Sequence, residues 1–236
     1  MVLYERQNDV VCIGQASHAW VSGQLARHWG NADFATPDPF EEVCLGAEQH
    51  DIGMAEWDVH PTLNPGTGYP YDFLALPKDI ALSLWADSPA KVLTQSPYAA
   101  VLVSMHGVAL SEGKPERQDY IAHEERFQQR LLAKLHEDPA RVRRNQLLVW
   151  AVDYLALAAL TGWTPRKAFP APDHALHVEE PKPLHLTVDP WPLNVPALTV
   201  PYRGRVLDAP SPTQAELDAR LDAAPWTDIL VTWTPA

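Results

Sequence analysis

The run Leu147–Leu160, LLVWAVDYLALAAL, constrains this chain more than any other stretch. It is apolar on every side over about four helical turns, so it suits a helix inside a core rather than one along a surface. Its one exception is Asp153. An ionised carboxylate in such surroundings is costly unless it is paired or sits on a metal. A partner must therefore be brought to Asp153 from elsewhere in the chain. The simplest alternatives to a cation are a buried hydroxyl or an arginine.

The segment Glu41–Asp58, EEVCLGAEQHDIGMAEWD, holds the strongest candidates, His50 and Asp51. An imidazole and a carboxylate on successive residues at a helix end point roughly 100° apart, and both can lean onto one cation beside the helix. A solvated helix end is the competing account of such a pair. His18 lies on an earlier helical stretch, and His106 sits in an apolar run just before Gly107, where a polar ring needs a reason. His123, in YIAHEERF, is a weaker candidate, with Glu124 beside it as a substitute. Asp58 and His60 fall within ten residues of the pair and are candidate acid–base groups near bound water; a turn cap and a solvent-facing ring are the plainer readings.

A length of 236 residues is enough to bury a substantial core. The formal charge of −12 argues against nucleic acid and anionic membrane as partners and leaves small molecules or proteins. With no basic-apolar leader and no apolar stretch long enough to span a bilayer, a cytoplasmic protein is expected, with homo-oligomerisation left open to it. Cys12 and Cys44 are far apart and outside any Cys-x-x-Cys pattern, which points to buried free thiols.

Along the chain, residues 1–13 suit a short extended lead-in, and a helical pattern follows over residues 15–29. Asp38-Pro39 reads as a cap and first position for a helix that runs to His50-Asp51 and stops near Gly53. The stretch WDVHPTLNPGTGYPYDF is too rich in Gly, Pro and Asn for regular structure and reads as a pocket wall or lid. In it, Trp57, Tyr69, Tyr71 and Phe73 offer an aromatic lining or pack on the core. Helices are expected over residues 77–93, 97–110 and 117–136, then from Asp138-Pro139 to Gly162. More than half of the 23 prolines lie beyond Trp163, where LHLTVDP, ALTVPY and ILVTW look like strands and Thr213 with Glu216 forms a capping box.

The order of these residues, a His on one helix, His-Asp at the end of the next and an Asp on a later one, resembles the HD superfamily. The segments HAWVSGQLARHWG, HDIGMAEWD, the P-x-L-N-P-G loop, LVSMHG, VDYLAL and DPWPL further resemble an uncharacterised bacterial family, a domain of unknown function with an HD-like core. The resemblance implies a mainly α fold, an HD-like helical bundle over residues 1–164 with a small Pro-rich α+β lobe over residues 165–236. It implies His18, His50, Asp51 and Asp153 as ligands of a divalent Fe, Mn, Zn or Mg ion, with His106 and His123 added where two ions are held. The activity it implies is metal-dependent hydrolysis of a phosphate ester or nucleotide, a small-molecule substrate. A di-iron oxygenase and a non-catalytic ligand-binding or interaction module are the alternatives. Phosphate recognition needs cations, and Lys78, Lys91, Arg27 and His60 are those near the candidate pocket segments.

Overall fold

A computed structural model describes residues 1–236. Two short strands, β1 (Val2–Glu5) and β2 (Val10–Ile13), lead into α1 (Gln15–Arg27), α2 (Phe40–Glu48), the short α3 (Ala55–Val59), α4 (Lys78–Leu93), α5 (Pro97–Ala109), α6 (Gln118–Leu135) and α7 (Pro139–Thr161). The C-terminal part carries β3 (Arg166–Phe169), β4 (Leu176–Lys182), β5 (His185–Asp189), β6 (Leu198–Leu207), α8 (Gln214–Ala223) and β7 (Trp226–Pro235).

The expected helical bundle is not what forms. Helix takes 48% of the residues and strand 20%, and a curled, mixed seven-stranded sheet makes this an α/β fold. Its order is β1-β2-β6-β7-β5-β4-β3, antiparallel throughout except for the parallel pair β5/β7. The reading of residues 1–13 as a mere lead-in is where the expectation failed. All four residues of β2 are buried. Side chains alternate between the faces of a strand, and here Val11 and Ile13 enter the main core while Val10 and Cys12 join Leu217 and Leu221 of α8 in a smaller one. A strand covered on both faces must also have its edges paired, and β2 lies between β1 and β6, with Cys12 opposite Arg205. The sheet and the main core thus run across the boundary expected at residue 164.

Where signals are local, the elements start as expected. Ser96 caps α5 by accepting from Ala99 N, Asp138 caps α7 by accepting from Ala140 N, and Thr213 caps α8 by accepting from Glu216 N. The helix after Asp38 differs: Pro39 is its cap, and Asp38 instead holds α7, its carboxylate meeting Arg141 at 3.0 Å and its carbonyl accepting from Asn145 at 2.8 Å. Cys12 and Cys44 are buried free thiols, each pushed up to about 12 by burial. No helix is long and apolar enough to cross a membrane.

The apolar run predicted to be buried is the centre of α7, buried from Ala151 to Leu160. The C-terminal strands hold it from the side: Tyr202 of β6 donates to Ala156 O at 2.6 Å and Trp233 of β7 donates to Leu155 O at 3.2 Å. These bonds land within one turn of Asp153. The sheet is therefore part of what positions that carboxylate.

Candidate metal centre

Three elements converge on Asp153 of α7. His18 comes from the second turn of α1, and its Nε2 lies 2.9 Å from Asp153 Oδ1. α1 begins at Gly14-Gln15 with no side-chain cap of its own; Asp58 supplies the acceptor, taking the Gln15 amide at 2.5 Å. His106 sits near the end of α5, with Nε2 3.7 Å from Asp153 Oδ2 and its ring against Trp150.

His50 and Asp51 follow α2 in a turn rather than in the helix. α2 ends at Glu48, and His50 Nδ1 meets Ala47 O at 2.8 Å. A carbonyl only accepts, so Nδ1 carries a proton, and Nε2 is the nitrogen turned toward the carboxylates. Nε2 is 3.3 Å from Asp153 Oδ1 and 3.5 Å from Asp51 Oδ2, and it has no hydrogen-bond partner. Gly53 lets this corner close onto α4: a Cβ there would stand 1.9 Å from Leu84 O, and its N–H donates to Ser88 Oγ at 3.0 Å.

The cage is buried, with His18, His50 and His106 each at most 3% exposed and Asp51 and Asp153 at most 8%. His18 Nδ1, His50 Nε2, His106 Nδ1 and Gln15 Oε1 all lack partners. Buried polar atoms in folded proteins are ordinarily satisfied, and two of these orphans, His18 Nδ1 and His50 Nε2, stand 3.3–3.8 Å from the carboxylates, room that a cation between them would fill. The residues present fit a divalent cation. Ligand atoms about one such ion stand roughly 3.0–3.4 Å apart for bonds near 2.1 Å. Two overlapping sets, His18-His50-Asp51 and His50-His106-Asp153, each keep their candidate atoms within 4.8 Å of one another.

The imidazoles and carboxylates of the cage also shift one another. Burial by itself would lower His50, but the carboxylates of Asp51 and Asp153 overcome it and raise the ring well above its ordinary value. Burial would raise both aspartates, yet the neighbouring imidazoles bring Asp51 below the usual carboxylate range and Asp153 well below it. His106 is driven down to about 4 by burial and by the charge on His50, and is therefore a neutral ring with a free lone pair at neutral pH.

A cavity of about 560 Å³ opens from the cage. Gln15, Asp51, His106 and Asp153 face it, and its apolar walls include Trp85, Trp150, Trp163, Tyr154 and Phe169. Lys78, Lys114, Arg117 and Arg166 also line it. Gln15, which anchors through Nε2 on Asp51 at 3.3 Å, was not foreseen. The available signal was its place one helical turn before His18.

A family model described as Protein of unknown function (DUF3891) matches residues 1–209. The chain belongs to that family. The DUF3891 match contains all five cage residues but stops before β7, the strand seated between β6 and β5. A search of the curated proteins gives no match, and a search of the solved structures gives none either.

Of the predicted site residues in this DUF3891 chain, His18, His50, Asp51, His106 and Asp153 come together and three do not. His123 lies on α6 with a side chain 71% exposed, and its neighbour Glu124 is turned inward to accept from Ser104 at 2.6 Å. His60 is exposed at the end of α3. Asp58 is buried beneath α1, engaged by the Gln15 amide and 3.3 Å from the Met1 amine, and does not line the cavity. Among the aromatic residues of the loop only Phe73 lines the cavity; Trp57 donates to Thr62, and Tyr69 and Tyr71 pack on satellite clusters. Lys91 and Arg27 face Glu56 and Glu41 instead of the cavity.

Proposed function

We propose that this protein is a metal-dependent hydrolase of the HD type acting on a phosphate ester of a small molecule. One observation carries the reading: a buried cage of partnerless imidazole nitrogens and two carboxylates forms part of the wall of a cavity that cationic side chains also line. Lys114, Arg117 and Arg166 join Lys78 in offering the cations that an anionic substrate needs.

His18, His50, Asp51 and Asp153 would hold the ion, with His106 added where two are bound. A divalent cation there supplies Lewis-acid chemistry, acidifying water and offsetting charge on a phosphoryl group. The chain's own groups do the positioning. Asp51 and Asp153 keep their negative charge at neutral pH, because the surrounding imidazoles hold both below the usual range. Gln15, fixed on Asp51 through its amide nitrogen, presents Oε1 as an acceptor that orients an attacking water. The apolar walls exclude bulk solvent and strengthen each polar contact at the cage.

The test is metal analysis of protein purified from its native host, followed by a panel of phosphate monoesters and diesters. Turnover by wild type loaded with Mn²⁺, Mg²⁺, Zn²⁺ or Fe²⁺ that disappears in His50→Ala supports the reading. Loaded wild type that hydrolyses no member of the panel better than His50→Ala overturns it. A di-iron oxygenase is a second reading, favoured by the two ligand sets that share His50. It requires at least about half an equivalent of native iron, together with oxygen uptake.

A further inference from the structure

Arg117 lies in the turn Pro115–Arg117 between α5 and α6, and its side chain lines the cavity although the residue is only 7% exposed. It makes one hydrogen bond, from Nη1 to Leu110 O at 3.2 Å, and no ion pair; Nε is buried without a partner. Burying a guanidinium is costly when its donors are unmet. A second cation stands beside it. Lys114 lines the same cavity and donates to the same carbonyl, at 2.7 Å. The guanidinium carbon is 5.0 Å from the centre of the Trp85 ring, and the indole Nε1 is another buried donor without a partner.

Capping the end of α5 explains one bond to Leu110 O. It does not explain why two cations crowd one carbonyl while a buried guanidinium has no counter-charge. An anion answers all of these at once: it neutralises the pair, takes the free Nε and accepts from the indole. We propose that Arg117, Lys114 and Trp85 form an anion-binding subsite in the cavity, one that takes a second phosphate or carboxylate of the substrate. Leu110, the cap of α5, follows His106 by four residues, about 6 Å along the helix axis, so the carbonyl that gathers the two cations is one turn from a cage residue. The fitting ligand is a compact phosphate ester with another anionic group about a helical turn from the reacting one, its middle lying between indole walls.

The reacting end of that ligand rests on the hydrolase reading; the anion subsite does not. Calorimetric titration of inorganic phosphate into full-length protein, treated with a chelator to remove metal, separates the two. Wild type should bind phosphate saturably. Arg117→Gln should weaken binding at least about tenfold, the order expected from losing charge-assisted hydrogen bonds. Arg117→Lys should weaken it less, keeping the charge but not the fork. Asp153→Asn should bind phosphate like wild type while failing to hold metal. Absence of saturable binding by wild type overturns the subsite, as does unchanged affinity in a folded Arg117→Gln or an equal loss in Asp153→Asn. If Arg117→Gln does not fold, Arg117→Lys and the exposed-site variant Lys114→Gln decide it, and unchanged affinity in both overturns it. Saturable phosphate binding by a wild type that takes up no metal removes the hydrolase reading and leaves the subsite; metal uptake without phosphate binding does the reverse.

Discussion

Asp58 and Asp153 are both buried aspartates, each close to the N-terminal part of α1, yet their surroundings could hardly differ more. Asp58 is met by a backbone amide and an amine, and its carbonyl is held by Arg205 at 2.6 Å. Every one of those contacts ties one part of the fold to another. Asp153 is met by three imidazoles, and His18 Nδ1, His50 Nε2 and His106 Nδ1 are all buried without a hydrogen-bond partner. Burial of a carboxylate therefore does not by itself mark a chemical site. Unpartnered polar atoms gathered beside a cavity do, as they are around Asp153 and Arg117.

The largest effect expected from that contrast is on metal. Asp153→Ala should reduce bound metal to background in elemental analysis, whereas Asp58→Ala should leave it near the wild-type level. Retention of metal by Asp153→Ala would dissolve the distinction between the two carboxylates. The ranking reverses for folding: Asp58→Ala should lower unfolding free energy by ~2 kcal/mol, because the start of α1 loses its acceptor and a buried amine its counter-charge. Denaturant titration of the chelated protein measures it.

Acidification sharpens the comparison further. His106 has a folded-state value of about 4, below the ordinary imidazole range near 6.5. The unfolded chain then takes up the proton first, so this group's contribution to stability is complete above about 6.5 and is lost as the pH falls toward about 4. In chelated protein, His106→Gln should shrink the stability difference between about pH 7 and about pH 4.5 by on the order of 2 kcal/mol. An undiminished difference would remove His106 from the buried cluster. The smallest effect belongs to His123→Ala. With an exposed ring outside the cage, it should alter neither metal content nor stability by more than ~0.5 kcal/mol.

Much of the cage was legible from residue type, because a lone Asp in an apolar helix and a His before a glycine in another are costly where they stand. Asp153 and His106 are such residues, and both are in the site. His123 has a ring on a solvated face of α6, where nothing forces it inward, and its neighbour Glu124 takes the buried position. Arg117 and Lys114 gave no comparable signal. A cation in a polar stretch reads as surface until the chain folds Leu110 O and Trp85 against it.

What the sequence by itself determined is local: the helix starts at Ser96, Asp138 and Thr213, where a side chain meets an amide two or three residues away, and the buried centre of α7, where the apolar run admits no other place. Tertiary structure alone decided the sheet, since β2 finds β6 nearly two hundred residues later and β5 and β7 pair in parallel across an intervening helix. It also decided which imidazoles meet Asp153, because α1, the turn after α2, and α5 are brought there by contacts that no short window of sequence contains. Short-range hydrogen bonds act over a few residues and can be read one by one, whereas strand pairing and side-chain convergence depend on which distant surfaces the chain buries together.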